Sequence, residues 1–181
     1  MFYDLRPHEC PCDIHFVEFM KNGVRNKNIF HFGTGGHHLV GVENSKLDMP
    51  NDILGMSLQK DEYIAYIDLI TENPMISKNY KVIFSDIYTL SQNLMPKFDI
   101  VNLFHLCEYF YKGTDYYKTD DVGLLRLFCQ NLKEGGAILF YKGSSKFHIT
   151  KSILDNFNLL DKIGEYKSLL SYGKKKEKHH E

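Results

Sequence analysis

The residues best placed for chemistry follow a short apolar run. Ile29, Phe30 and Phe32 lead directly into Gly33-Thr34-Gly35-Gly36, and glycines there let the backbone take positive φ and approach a ligand closely. Three further polar residues, Ser57, Asp86 and Asn102, sit at or near the ends of other apolar runs. If those runs are strands of an open parallel sheet, all four positions converge outside its carboxyl edge, where such sheets bind ligands. His37 and His38 follow the glycines directly, and His105 follows the fourth run. An imidazole near neutrality can take a proton from a hydroxyl or an amine. Each residue also has a purely structural reading: the glycines as a tight turn, Asp86 as a helix N-cap, each histidine as a packed or hydrogen-bonded core group.

The elements that must position these residues can be read from periodicity. The spacing predicts a capping helix over 12–22, with Ile14, Phe16, Val17, Phe19 and Met20 mainly on one stripe and Asp13 as an early acid, ended by Gly23. Strands are predicted at 28–32, 53–58, 81–85, 98–104 and 137–141, a helix or turn from 37 to 42, and helices at 61–71 and 120–132, the last closed by Gly135-Gly136. A helix near 151–156 and one or two strands between 159 and 172 complete the pattern. Strands alternating with helices require long right-handed crossovers and hence a mostly parallel sheet, so the expected fold class is α/β, a three-layer sandwich.

Length and composition bound the rest. With 181 residues, 43% hydrophobic and 25% charged, the chain is expected to form one domain: the capping segment 1–27, a core 28–172 and a basic tail 173–181. No apolar run is long enough to span a membrane. A formal net charge of -1 gives no electrostatic reason to expect nucleic acid or an anionic membrane as partner, so a small molecule is the expected ligand. Lys174, Lys175, Lys176 and Lys178, beside His179 and His180, read as a solvated, frayed tail. Four scattered cysteines and no signal segment point to a reducing cytoplasm. His8, Cys10, Cys12 and His15 crowd together, but Cys-Pro-Cys is a poor wrap for a tetrahedral ion, and no metal site is expected.

The run Ile29-Phe30-His31-Phe32-Gly33-Thr34-Gly35-Gly36 resembles the first motif of class I S-adenosylmethionine-dependent methyltransferases, whose fold is Rossmann-like. The likeness continues through Lys81-Val82-Ile83-Phe84-Ser85-Asp86-Ile87, through Phe98 to His105, and through Leu132-Lys133-Glu134-Gly135-Gly136-Ala137-Ile138-Leu139, covering roughly residues 28–142. The resemblance implies S-adenosylmethionine as cofactor, with Gly33, Thr34, Gly35 and Gly36 under its methionine and ribose, Ser57 at the ribose, and Asp86 and Ile87 edging the adenine. Asn102 would border the same site, and His105 and His37 would be the catalytic candidates beside the acceptor.

Two positions depart from the pattern. Ser57 stands where a carboxylate commonly holds the ribose, and His31 stands at the acidic position of the first strand; Gln59, Asp61 or Glu43 are the substitutes the sequence offers. The fourth strand lacks the Asn/Asp-Pro-Pro-aromatic signature of base amino-methyltransferases, which favours a small-molecule acceptor. Tyr109, Phe110, Tyr111, Tyr116 and Tyr117 read either as an acceptor pocket or as a cover over the sheet edge. A partner subunit, as in a homodimer, is a further source of acceptor contacts. The missing carboxylates keep open a non-catalytic relative that binds a nucleotide-like ligand or a protein, and an enzyme using the cofactor for other chemistry is a third reading.

Overall fold

The computed structural model describes residues 11–92 and 95–176. His8, Cys10, Lys178, His179 and His180 lie outside the described residues.

β1 (Asn28–Phe32) and β4 (Phe98–Asn102) are buried along almost their whole length, as strands covered on both faces must be. Alternation sorts their side chains. Phe30, Val101 and Leu103 point into one apolar layer, together with Leu124, Leu125 and Phe128 of α4 (Asp121–Gln130) and Leu154 of α5 (Phe147–Asn156). Ile29 and Ile100 point the other way, into a layer with Phe16, Val17 and Met20 of α1 (Pro11–Lys21), Val40 of α2 (Leu39–Asn44) and Tyr66 of α3 (Lys60–Glu72). The result is helices on both faces of one sheet.

That sheet has seven strands in the order β3-β2-β1-β4-β5-β7-β6, with β2 at Asp52–Ser57, β3 at Tyr80–Phe84, β5 at Leu132–Tyr141, β6 at Leu160–Tyr166 and β7 at Leu169–Lys174. The first five pair in parallel, and β7 inserts antiparallel between β5 and β6. The chain winds outward from β1 through β2 to β3, then returns to lay β4 on the other side of β1. The crevice outside the carboxyl ends of β1 and β4 is therefore the topological switch point. No helix among the described residues is long and apolar enough to cross a membrane.

Several boundaries differ from the sequence reading. The helix expected over 120–132 stops at Gln130, and Gly135-Gly136 lies inside β5 instead of closing the helix. The register of β4 against β5 jumps from Phe98↔Leu132 to Ile100↔Ala137, so the bulge absorbs the glycines, with Gly135 at φ 71°. The helix or turn expected from His37 is a helix that begins at Leu39, because His38 takes a left-handed φ of 45° before it. The fourth strand ends at Asn102 and not at Phe104, and α5 starts at Phe147, well before residue 151. Gly173 and Lys174, assigned to the frayed tail, are the last residues of β7, and Lys174 Nζ donates to the Leu132 carbonyl at 2.8 Å.

Candidate functional site

The loop after β1 turns sharply: Gly33 and Gly35 sit at φ 79° and 58°, and the Gly33 N–H donates to the Met56 carbonyl at 3.0 Å. These conformations are strained for any residue with a Cβ. The sides of both glycines are occupied. A Cβ on Gly33 would lie 3.1 Å from His105 Cδ2, and one on Gly35 would lie 2.6 Å from His37 Nε2. Thr34 is the one residue of the four-residue loop with a side chain, and two imidazoles lie against the glycines beside it.

His37 is turned inward, its side chain 5% exposed, with Nε2 3.7 Å from Asp13 Oδ2. The other Asp13 oxygen lies 3.3 Å from Nε2 of the fully buried His31. One carboxylate on α1 thus sits between two imidazoles, one on β1 and one on the glycine loop. Burial pushes the His37 pKa down, against the opposing pull of Asp13. His31 is packed flat against Phe16 and edge-on to Phe104, and its Nδ1 accepts from Asn102 Nδ2 at 3.1 Å. Asn102 is fully buried beneath the loop, and its Oδ1 has no partner among the described residues.

His38 points away from the crevice. Its Nδ1 accepts from the Tyr80 hydroxyl at 2.8 Å and its Nε2 donates to the Glu62 carbonyl at 2.7 Å. These bonds tie the start of α2 to the first turn of α3 and fix where Glu62 stands. Its side chain then reaches back to the sheet. Glu62 Oε2 accepts from Ser57 Oγ at 2.5 Å and lies 3.5 Å from Thr34 Oγ1. A carboxylate is therefore present between the ends of β1 and β2, supplied by a helix five residues after Ser57. Sequence reasoning named Gln59, Asp61 and Glu43 for this place and missed Glu62. Glu43 instead pairs with Lys21 and Lys46 on the surface.

Asp86 serves the capping use expected of it, and one of its oxygens is left over. Oδ1 caps the short turn Ile87–Thr89 by accepting from the Tyr88 N–H at 3.0 Å, while Oδ2 is buried and has no partner among the described residues. A buried acceptor without a donor is costly and marks a place that a ligand donor can satisfy. Ile87 is buried beside it, with its side chain in the core.

His105 lies just beyond β4, its side chain about one quarter exposed and its ring against Gly33. Its Nδ1 is 3.2 Å from Glu108 Oε2, another partner that sequence reasoning missed. The aromatic run divides. Phe110 and Tyr117 pack on the buried Tyr88, while Tyr111 and Tyr116 are exposed. Phe110, Tyr111, Tyr117 and Lys118 line an open cavity of about 490 Å³.

No protein-family model matches the sequence, and no curated protein matches it. Similarity appears at the level of solved structures. The precorrin-6y methyltransferase of Geobacter metallireducens superposes with a TM-score of 0.60 at 12% identity, covering 95% of this chain and 90% of that one. A ribosomal protein methylase of Lactobacillus delbrueckii gives 0.57 at 12% identity, with 94% and 81% covered. Coclaurine N-methyltransferase, solved with N-methylheliamine and S-adenosylhomocysteine, gives 0.54 at 13% identity over 77% of this chain and 38% of that one. The named acceptors differ while the architecture recurs, and the chain has the Rossmann-like fold of the class I S-adenosylmethionine-dependent methyltransferases.

Proposed function

We propose that this protein is an S-adenosylmethionine-dependent methyltransferase of the cytoplasm that acts on a small-molecule acceptor. The observation that carries the reading is the pair of acceptor groups on the carboxyl edge: the unpartnered Oδ2 of Asp86 and the Glu62 carboxylate at Ser57 and Thr34. A nucleoside offers complementary donors, an exocyclic amine for the first and ribose hydroxyls for the second. The residues present therefore fit the adenosine end of the cofactor. At the other end, Gly33, Thr34, Gly35 and Gly36 supply the backbone turn, and His37 and His105 form the wall beside it. Asn102 acts from beneath, holding His31 under the loop.

When bound, the cofactor supplies a methyl group activated on a sulfonium. The protein's task is chiefly alignment, because direct displacement gains most from holding two reactants in line. Net charge and the sequence after β4 support a small molecule over a nucleic acid. The thiols of Cys107 and Cys129, which form no disulfide among the described residues, suit a reducing compartment.

Glu62 gives this proposal its sharpest handle. Hydrogen bonds to a charged group contribute about 1.5–3 kcal/mol, so Glu62→Gln is expected to weaken binding of labelled S-adenosylmethionine by about 10- to 100-fold in equilibrium dialysis. Binding equal to that of the wild type would remove the nucleoside from this part of the edge.

A further inference from the structure

The contacts of Glu108 go beyond what a local turn requires. One oxygen faces His105 Nδ1 at 3.2 Å; the other accepts from Ser144 Oγ at 2.5 Å and from the Ser145 N–H at 3.2 Å. Ser144 and Ser145 come from the turn after β5, so the carboxylate is clamped from a second loop. The His105 contact holds the Glu108 carboxyl down to about 2, with Ser144 acting in the same direction, and it is an anion at any working pH. An ionised carboxylate only accepts hydrogen bonds, so the neutral imidazole must carry its proton on Nδ1. Nε2 is left as an acceptor. It lies 3.9 Å from Cys12 Sγ, at the start of α1, on a ring that touches Gly33. Among the described residues the titratable groups against this ring are Glu108 and Cys12, with Tyr109 edge-on at 6.3 Å.

We propose that Glu108, held by Ser144, is a positioning residue that presents Nε2 of His105 as the proton acceptor of the reaction, and that the methyl acceptor is a molecule whose nucleophilic atom carries a proton. The inference rests on the methyltransferase reading for its second half only. As the nucleophilic atom bonds to the methyl carbon, the carbon–sulfonium bond breaks and its electron pair returns to sulfur. The nucleophile's proton passes to His105 Nε2, and from the partly exposed ring to solvent. A histidine that merely packed against the glycine loop would need no carboxylate locked from another loop to choose its tautomer.

The test begins on the protein alone. Long-range proton–nitrogen NMR of the neutral His105 ring is expected to show the Nδ1–H form in excess by about tenfold or more, the ratio that one charge-assisted hydrogen bond sustains. Glu108→Gln should bring the two tautomers within about threefold, and Ser144→Ala, which keeps the carboxylate, should move the ratio part of the way. An Nε2–H form in the wild type, or a ratio unchanged in both variants, overturns the positioning role whether or not the protein binds S-adenosylmethionine. The second arm uses labelled S-adenosylmethionine with a phenol and with a tertiary amine as probes. Transfer to the phenol should fall about tenfold or more in Glu108→Gln, while transfer to the amine, a weakly basic aryl dialkylamine that is unprotonated at neutral pH and so loses no proton, should fall far less. Equal losses on both probes overturn the proton-bearing acceptor.

Discussion

Lowering the pH from 7 to 4.5 is expected to cost this fold about 3 kcal/mol, most of it through His38. The ring is 1% exposed, and burial drives its pKa from 6.5 down to about 4, only partly opposed by its bond to the Glu62 carbonyl. In the unfolded chain the same imidazole picks up its proton near pH 6.5. Between about 6.5 and 4 the unfolded state therefore binds more protons than the folded state, and stability is lost as the pH falls through that window. His37, also pushed down by burial, works in the same direction. Glu108 adds little there, since its stabilisation is lost as the pH falls from about 4.5, its unfolded value, toward 2. Urea unfolding at pH 7 and 4.5 reads the difference, and His38→Gln should flatten it while lowering stability at pH 7. A wild-type midpoint that does not move would mean the ring is hydrated or charged in the folded protein. The local consequence reaches the candidate site, because the His38 bonds hold the first turn of α3, from which Glu62 projects.

Asp13→Ala carries the second large effect, also about 3 kcal/mol of destabilisation. Removing one partner of a buried charged contact leaves the others unpaired in a medium that cannot solvate them. Asp13 is 2% exposed and serves His31 at 3.3 Å and His37 at 3.7 Å, so its loss strands two buried Nε2 atoms and frees the start of α1. Asp13→Asn, which keeps the volume and one acceptor oxygen, should cost less. Chemical denaturation measures both, and the rate of Cys12 thiol labelling reports release of the helix, since Cys12 is 3% exposed in the intact fold. Wild-type stability in Asp13→Ala would show that α1 is held by its apolar stripe alone.

The sheet was legible because its central strands are short apolar runs that end in glycine or a polar residue, a pattern helices of this chain do not share. Residues 132–136 were harder. Leu132 continues the apolar period of α4 and Gly135-Gly136 looks like a helix stop, whereas pairing of Leu132 with Phe98 recruits the segment into β5. Local propensity lost to a tertiary ladder. At the site, the glycine loop, Asp86 and His105 could be picked out because strand ends mark them. Glu62 could not: beside Asp61 in the first turn of a helix, it reads as an acid favoured there by the helix dipole. Its contact with Ser57 Oγ, made only once the helix is docked on the sheet, shows where it is aimed. Asp13 looked like the same kind of helix-start acid and is instead the buried link between α1 and two histidines. Glu108 did have a sequence signal, a carboxylate three residues after a candidate histidine, but the serines that clamp it lie 36 and 37 residues away.

Whether the carboxyl edge accepts an adenosyl sulfonium is the claim on which the functional reading stands. Isothermal titration calorimetry of the wild-type protein with S-adenosylmethionine tests it directly. The expected result is saturable one-to-one binding with a dissociation constant below about 100 μM, or about -5.5 kcal/mol. No heat of binding at millimolar ligand, with the protein folded, would contradict it and leave the imidazoles on Gly33 and Gly35 as a plug in the crevice.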